Sequence, residues 1–225
     1  MRDAPDFDRL AALYRWLEYL SFGPFLWRCR VHRLPQLTHC RSALVLGDGD
    51  GRFTSALLRK IPQVRVHAVD LSPRMLAALE AEAGMEADRV TTEVADLRAW
   101  SPEAGAEYDL IVTHFFLDCL TSNEVATLAL RLRGCAAPAA LWVVSDFAVP
   151  PTRFGRWIAT PLVTGLYYAF GWLTGLRQRS LPDHATGLAQ AGWSLRSKHR
   201  QLAGLLFSEL WERPTLPSGR PSELQ

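Results

Sequence analysis

The rhythm of apolar and polar positions changes along the chain. From Asp8 to Phe22, apolar residues at Leu10, Leu13, Tyr14, Leu17 and Leu20 keep helical spacing and predict an amphipathic helix. Gly23-Pro24 breaks it, and a second short helix is expected to run to about Arg33, before Pro35. Short apolar runs then alternate with helical patterns. Strands are expected over Ser42–Leu46, Val64–Val69, Arg89–Ala95, Tyr108–Thr113 and Leu141–Phe147. Between them, Arg52–Ile61 reads as a helix stopped by Pro62. Ser72 is the expected N-cap and Pro73 the N1 residue of a helix over Pro73–Ala83. Thr121 or Ser122 can cap another helix reaching about Arg133. Strands apolar along their whole length, each followed by a helix, indicate a parallel sheet covered on both faces. The end of the chain differs: a helix over Asp183–Ala191 ends at Gly192, and Trp193–Gln201 and Leu205–Glu212 are spaced to pair as an antiparallel hairpin.

The expected fold is therefore α/β: a doubly wound, mostly parallel seven-stranded sheet with a C-terminal antiparallel hairpin. The expected organisation is a helical N-terminal cap over 1–40, a main domain over 41–212 with a helical lid inserted at about 150–182, and a disordered tail over 213–225 rich in proline. Composition sets limits on this picture without changing it. The chain has 225 residues, 48% of them hydrophobic and 21% charged, which suits one domain with a large core. A formal net charge of +2 with no Lys/Arg run argues against nucleic acid as a partner. Cys29, Cys40, Cys119 and Cys135 form no C-x-x-C pair and read as reduced thiols of a cytoplasmic protein. Cys29, His32, His39 and Cys40 match no common zinc spacing, so no metal is expected.

The candidate chemistry begins where the first strand ends, in Leu46-Gly47-Asp48-Gly49-Asp50-Gly51, followed by a helix. Glycines let a ligand approach the main chain, and the free N–H groups of the helix behind them suit an anionic group. Two cofactor classes compete for such a loop. The dinucleotide fingerprint G-x-G-x-x-G would need its third glycine at position 52, which is Arg52. The spacing is instead G-x-G-x-G, and Asp48 and Asp50 inside the loop would repel a diphosphate. They are compatible with a cofactor carrying an ammonium and a sulfonium, such as S-adenosylmethionine. Asp70 closes the second strand about twenty residues on, where a ribose-binding acid is expected. Asp96 closes the third, with Leu97 beside it. A carboxylate for the adenine amino group and an apolar neighbour for the ring make a candidate adenine pocket.

Taken in order, Leu44–Phe53 resembles motif I of the class I S-adenosylmethionine-dependent methyltransferases. Val66–Ser72, containing Asp70 and Leu71, resembles their acidic second motif. Val94-Ala95-Asp96-Leu97 is similar to their adenine motif, and Tyr108–His114 looks like the fourth. The closing hairpin is similar to the reversed last strand of the family. The resemblance covers about residues 40–212 and implies a Rossmann-like methyltransferase fold. It also implies S-adenosyl-L-methionine as cofactor, bound by Gly47, Asp48, Gly49, Gly51, Asp70, Leu71, Asp96, Leu97 and His114. One position departs from the pattern: many members carry an acid two residues before the first loop glycine, and here that residue is Val45.

Two further features bear on the acceptor. His114 ends the fourth strand and Asp118 follows it; either can take a proton from an acceptor hydroxyl, and both are catalytic candidates. The stretch 157–176 has no charged residue and carries Trp157, Tyr167, Tyr168, Phe170 and Trp172. Its length could span a bilayer, but a span there would split one domain, so it is read as a lid over the active site. Such a lid suits a small lipophilic acceptor of quinone-, phenol- or lipid-like character, and a second reading has it touch the membrane peripherally. Tyr14, Trp16 and Tyr19 are candidates to close the pocket from the first helix. Arg153, Arg156, Arg177 and Arg179 read as the solvated ends of the lid. Leu181-Pro182-Asp183 and Ala191-Gly192-Trp193 are loosely similar to the quinone-methylating branch of the family. The expected activity is methyl transfer by an enzyme. The competing readings are a nicotinamide-dependent oxidoreductase and a non-catalytic partner subunit that binds cofactor.

Overall fold

A computed structural model describes residues 24–150 and 181–215. The expected first helix, the aromatic stretch 157–176 with its flanking arginines, and the residues after 215 lie outside the described residues. Those described build one seven-stranded sheet in the order β3-β2-β1-β4-β5-β7-β6. The strands are β1 (Ser42–Leu46), β2 (Arg65–Asp70), β3 (Val90–Val94), β4 (Tyr108–His114), β5 (Ala136–Phe147), β6 (Ser194–Gln201) and β7 (Leu206–Glu212). β1 to β5 pair in parallel, whereas β7 runs antiparallel to both β5 and β6. Helices are α1 (Pro24–Val31), α2 (Arg52–Lys60), α3 (Pro73–Ala83), α4 (Ser122–Cys135) and α5 (His184–Gln190).

The strands are apolar along their length because both faces are covered. On one face Val45, Val112 and Val143 pack with Phe53 and Leu57 of α2 and Leu76 and Leu79 of α3. On the other, Leu44, Leu46, Ile111 and Trp142 pack with Leu128 and Leu132 of α4 and Leu188 of α5. Trp142 is fully buried, edge-on to Trp193 at 5.2 Å, and its indole N–H donates to Thr113 Oγ1 (3.0 Å). This satisfies the one polar atom that so large a side chain brings into the core.

Helix boundaries follow from capping chemistry. Ser72 Oγ accepts from Met75 N (3.2 Å) at the head of α3. At α4, Thr121 and Glu124 form a reciprocal capping box, each side chain bonding the other's backbone N–H. The basic end of the β3 run has a different task. Arg89 was expected to open the strand; instead its guanidinium donates to the carbonyls of Leu58 (3.0 Å), Ile61 (3.2 Å) and Val64 (3.1 Å), closing the end of α2. β5 starts at Ala136, five residues before the expected Leu141. Its first residues, Ala136-Ala137-Pro138-Ala139, carry no strand-forming side chain, and the register with β4 shifts between Tyr108 and Leu110. Arg213, expected to open the disordered tail, is tied to β5 through its N–H to Ala140 O (2.9 Å) and its guanidinium to Ala136 O.

The described part of the N-terminal cap is integral to the sheet. Arg33, just past α1, donates to Ser208 O (2.7 Å) on β7 and Ser197 Oγ (2.8 Å) on β6. The Cys29 thiol donates to Phe207 O (3.1 Å), and His32 stacks on His199 at 3.9 Å. Among the described residues no group of three or more His, Cys, Asp or Glu side chains could hold a metal ion, and no helix is long and apolar enough to cross a membrane.

Candidate active site

With the order 3-2-1-4-5, the strand connections reverse direction between β1 and β4, so a crevice opens at the carboxyl edge there. The edge carries Asp96 after β3, Asp70 on β2, the glycine loop after β1, and His114 with its following turn after β4. All the residues singled out in the sequence for cofactor and catalysis come from this one edge.

Three glycines shape the loop, all with left-handed φ (Gly47 +66°, Gly49 +65°, Gly51 +78°). Gly47 N–H continues the sheet by donating to Val69 O (3.0 Å). A Cβ on Gly47 would stand 2.7 Å from the Phe116 ring, and one on Gly51 would stand 2.5 Å from Leu79 Cα of α3. A Cβ on Gly49 would meet nothing within 4 Å. Gly47 and Gly51 are thus demanded by packing. Gly49 borders open space, as a backbone approached by a ligand requires.

The loop acids are engaged by the protein itself. Asp48 is 6% exposed; its Oδ2 accepts from Thr54 N (2.9 Å) and Thr54 Oγ1 (2.7 Å), capping the first turn of α2. Among the described residues, its buried Oδ1 has no hydrogen-bond partner. Asp50 Oδ1 accepts from Arg52 Nε (3.0 Å). Burial pushes the Asp48 carboxyl up to about 6, against the opposing pull of Arg30 and Thr54. A carboxyl raised on folding destabilises the folded state progressively as pH climbs from its unfolded value through its folded one. Between pH 4.5 and 7.5 this group is expected to cost the ligand-free protein about 2 kcal/mol. Urea unfolding at the two pH values checks this, and in Asp48→Asn that share of the pH dependence disappears.

Asp70 is the junction of the edge. Its carboxylate accepts backbone N–H groups from Ser72 (2.9 Å), Leu71 and, in the loop after the neighbouring β1, Gly49. Burial nevertheless raises its pKa. Its own carbonyl accepts from Ala95 N (3.0 Å), which sets the end of β3 beside it. Asp96 is held by Arg98, through Nε (2.9 Å) and Nη2 (2.7 Å), and also accepts from Arg98 N (3.0 Å). The Arg98 hydrogen bonds lower its pKa. Leu97 is 5% exposed within the core, and Arg131 of α4 donates to its carbonyl (3.1 Å).

His114 sits at the end of β4, on the same face as Leu110 and Val112, with its ring edge-on to Phe53 of α2 at 4.4 Å. It is 3% exposed, and among the described residues neither ring nitrogen has a hydrogen-bond partner. Burial, aided by the charge of Arg30, lowers its pKa well below the ordinary histidine value, so the ring is neutral at pH 7. The next residue, Phe115, has a left-handed φ of +53°, a conformation that costs a non-glycine residue about 1–3 kcal/mol. It begins a turn through Leu117–Cys119 that carries Asp118.

Sequence reasoning missed two residues of this edge. Asp146 at the end of β5 is 4% exposed; its Oδ2 accepts from Asp118 N (3.1 Å) and its Oδ1 from Phe147 N (2.8 Å). Burial and then the neighbouring Asp118 push its carboxyl well above the usual range. A polar residue closing the apolar run Val143–Phe147 was the available signal. Arg30 of α1 is 4% exposed and acts electrostatically on both Asp48 and His114. Its position on a short helix far from the motifs gave no signal.

Comparisons with known proteins agree with this geometry. Residues 43–138 match the family model described as a methyltransferase domain. Trans-aconitate 2-methyltransferase of Streptomyces avermitilis is 36% identical over 85 residues, which is 36% of this chain and 31% of that protein. Among solved structures, the apo form of the S-adenosylmethionine-dependent methyltransferase SibL has a TM-score of 0.66 at 24% identity over 96% of this chain and 64% of its own. The N-methyltransferase NodS from Bradyrhizobium japonicum, solved with S-adenosyl-L-homocysteine, has a TM-score of 0.61 at 16% identity, covering 84% of this chain and 88% of its own. The chain thus spans about a third of the curated relative and somewhat under two thirds of SibL. Residues 43–138 thus match a methyltransferase domain, and the described sheet has the fold of S-adenosylmethionine-dependent methyltransferases of solved structure.

Proposed function

We propose that this chain transfers a methyl group from S-adenosylmethionine to a small lipophilic acceptor. The observation that carries the reading is the bond between Asp70 on β2 and the N–H of Gly49 in the loop after β1, next to the reversal of the sheet and beside open space where a Cβ on Gly49 would stand. It fixes a carboxylate and an approachable backbone side by side at the edge of the crevice. The residues fit the cofactor's parts. Asp70 suits ribose hydroxyls, the Asp96 edge suits an adenine amino group, and the unpartnered, buried Asp48 Oδ1 suits an ammonium. When bound, the cofactor supplies an activated methyl group on a sulfonium. The protein's task is then to hold the acceptor in line and exclude water, and such positioning supplies up to about 7–11 kcal/mol of a barrier.

Of the two base candidates, Asp118 is favoured. The His114 ring lies on the α2 face against Phe53 and is poorly basic, whereas Asp118 stands on the turn beyond the strand. His114 then serves as a neutral wall of the site. The aromatic composition of 157–176 supports an apolar, quinone-, phenol- or lipid-like acceptor.

Thermal unfolding with each of S-adenosylmethionine, S-adenosylhomocysteine, NAD and NADP tests the cofactor. At about a hundred times its dissociation constant, a true ligand adds about 3 kcal/mol. The two adenosyl ligands are expected to stabilise the protein and the two dinucleotides to leave it unchanged; stabilisation by NAD alone reverses the reading.

A further inference from the structure

We infer that Asp146 is a positioning residue for the proposed methyl transfer, holding the turn that carries Asp118 against the glycine loop. The inference rests on the reading above and adds a residue to it. The turn after β4 is pinned at three places. Phe115 N donates to Ser145 O (2.7 Å), continuing the β4–β5 ladder one step past its end. The Phe116 ring packs where Gly47 has no side chain. The third pin is the carboxylate of Asp146, whose two oxygens divide between the N–H of Asp118 and the N–H of Phe147.

The left-handed Phe115 needs such support, because a strained residue persists only where its surroundings over-determine it. Here the two N–H groups meet different oxygens of the side chain, so both atoms must accept. Asparagine has the same shape but one acceptor, and would turn an amide NH2 toward one of the two donors. The position of Asp118 matters to the cofactor edge as well: the neighbouring Cys119 thiol feels the charges of Asp118, Asp146 and Asp70 together, so the turn lies within electrostatic reach of the proposed ribose-binding acid. A displaced turn moves negative charge away from the place where a cationic donor would sit.

The test uses the full chain and calorimetric binding of S-adenosylmethionine and of its neutral product S-adenosylhomocysteine. It compares wild type, Asp146→Asn, Asp118→Asn and the double variant. Asp146→Asn is expected to weaken the cationic donor about tenfold and the neutral product less than threefold. Hydrogen exchange of the segment 115–119 is expected to rise in the same variant. The double variant should bind no worse than Asp118→Asn alone, since Asp146 acts through Asp118; a merely structural loss would multiply the two single effects. Unchanged donor binding in Asp146→Asn, or multiplied losses in the double variant, overturns the inference. If Asp146→Asn does not fold, exchange at Asp118 N–H in the wild type decides: slow exchange supports the tether and fast exchange removes it. Wild-type protein that binds neither adenosyl ligand fails the proposed function itself, a different result from an unaltered Asp146→Asn.

Discussion

Gly51→Ala is expected to destabilise the protein by about 3–5 kcal/mol, a large share of a single domain's stability. Two costs combine. The backbone there has φ +78°, where a Cβ is strained whatever the space around it. The new methyl would also stand 2.5 Å from the Cα of Leu79, so no side-chain rotation can relieve the clash. Either α3 moves off the glycine loop or the head of α2 unwinds. Gly49→Ala is the control: its φ is +65° but nothing lies within 4 Å, so only the conformational cost of about 1 kcal/mol remains. Urea unfolding of the two variants beside wild type reads the difference. Equal losses would mean that the approach of Leu79 to the loop does not govern this position.

Asp70→Ala is expected to lower the affinity for S-adenosylmethionine by at least about a hundredfold, or roughly 3 kcal/mol. The substitution removes the proposed ribose acceptor. It also removes the acceptor for the N–H groups of Ser72, Leu71 and Gly49, so the glycine loop loses its tie to β2. Asp70→Asn keeps the shape and one acceptor, and should lose about tenfold. Stability should respond differently from binding. Because burial holds the Asp70 carboxyl above its ordinary range, the charge is unfavourable to the ligand-free fold at neutral pH. Asp70→Asn removes that charge but turns an amide NH2 toward one of the N–H donors, so it should melt lower than wild type by less than Asp70→Ala does while binding more weakly, and calorimetry with thermal unfolding separates the two. A variant that binds as wild type does would remove Asp70 from the site.

The strands carrying the site were legible because each ends in residues that punctuate it: Gly47 after β1, Asp70 on β2, Asp96 after β3 and His114 on β4. The capping of α3 by Ser72 and α4 by Thr121 was also readable, since both signals are local in sequence. What the sequence hid was long-range. The Asp146 contact to Asp118 spans 28 residues and depends on where β5 stops relative to β4. The direction of the His114 ring follows from strand parity, which requires knowing which face α2 covers. The pairing of Asp96 with Arg98 is local, but a spacing of two residues outside a helix does not by itself turn the two side chains toward each other.

The anchoring of Arg33 on Ser197 and Ser208 joins residues 164 and 175 positions apart. During synthesis, the early segment bearing Arg30 and Arg33 must wait for the final hairpin to emerge before it can dock. The charge of Arg30 that acts on Asp48 and His114 is therefore seated last, and a nascent chain halted before β7 would present its glycine loop without it.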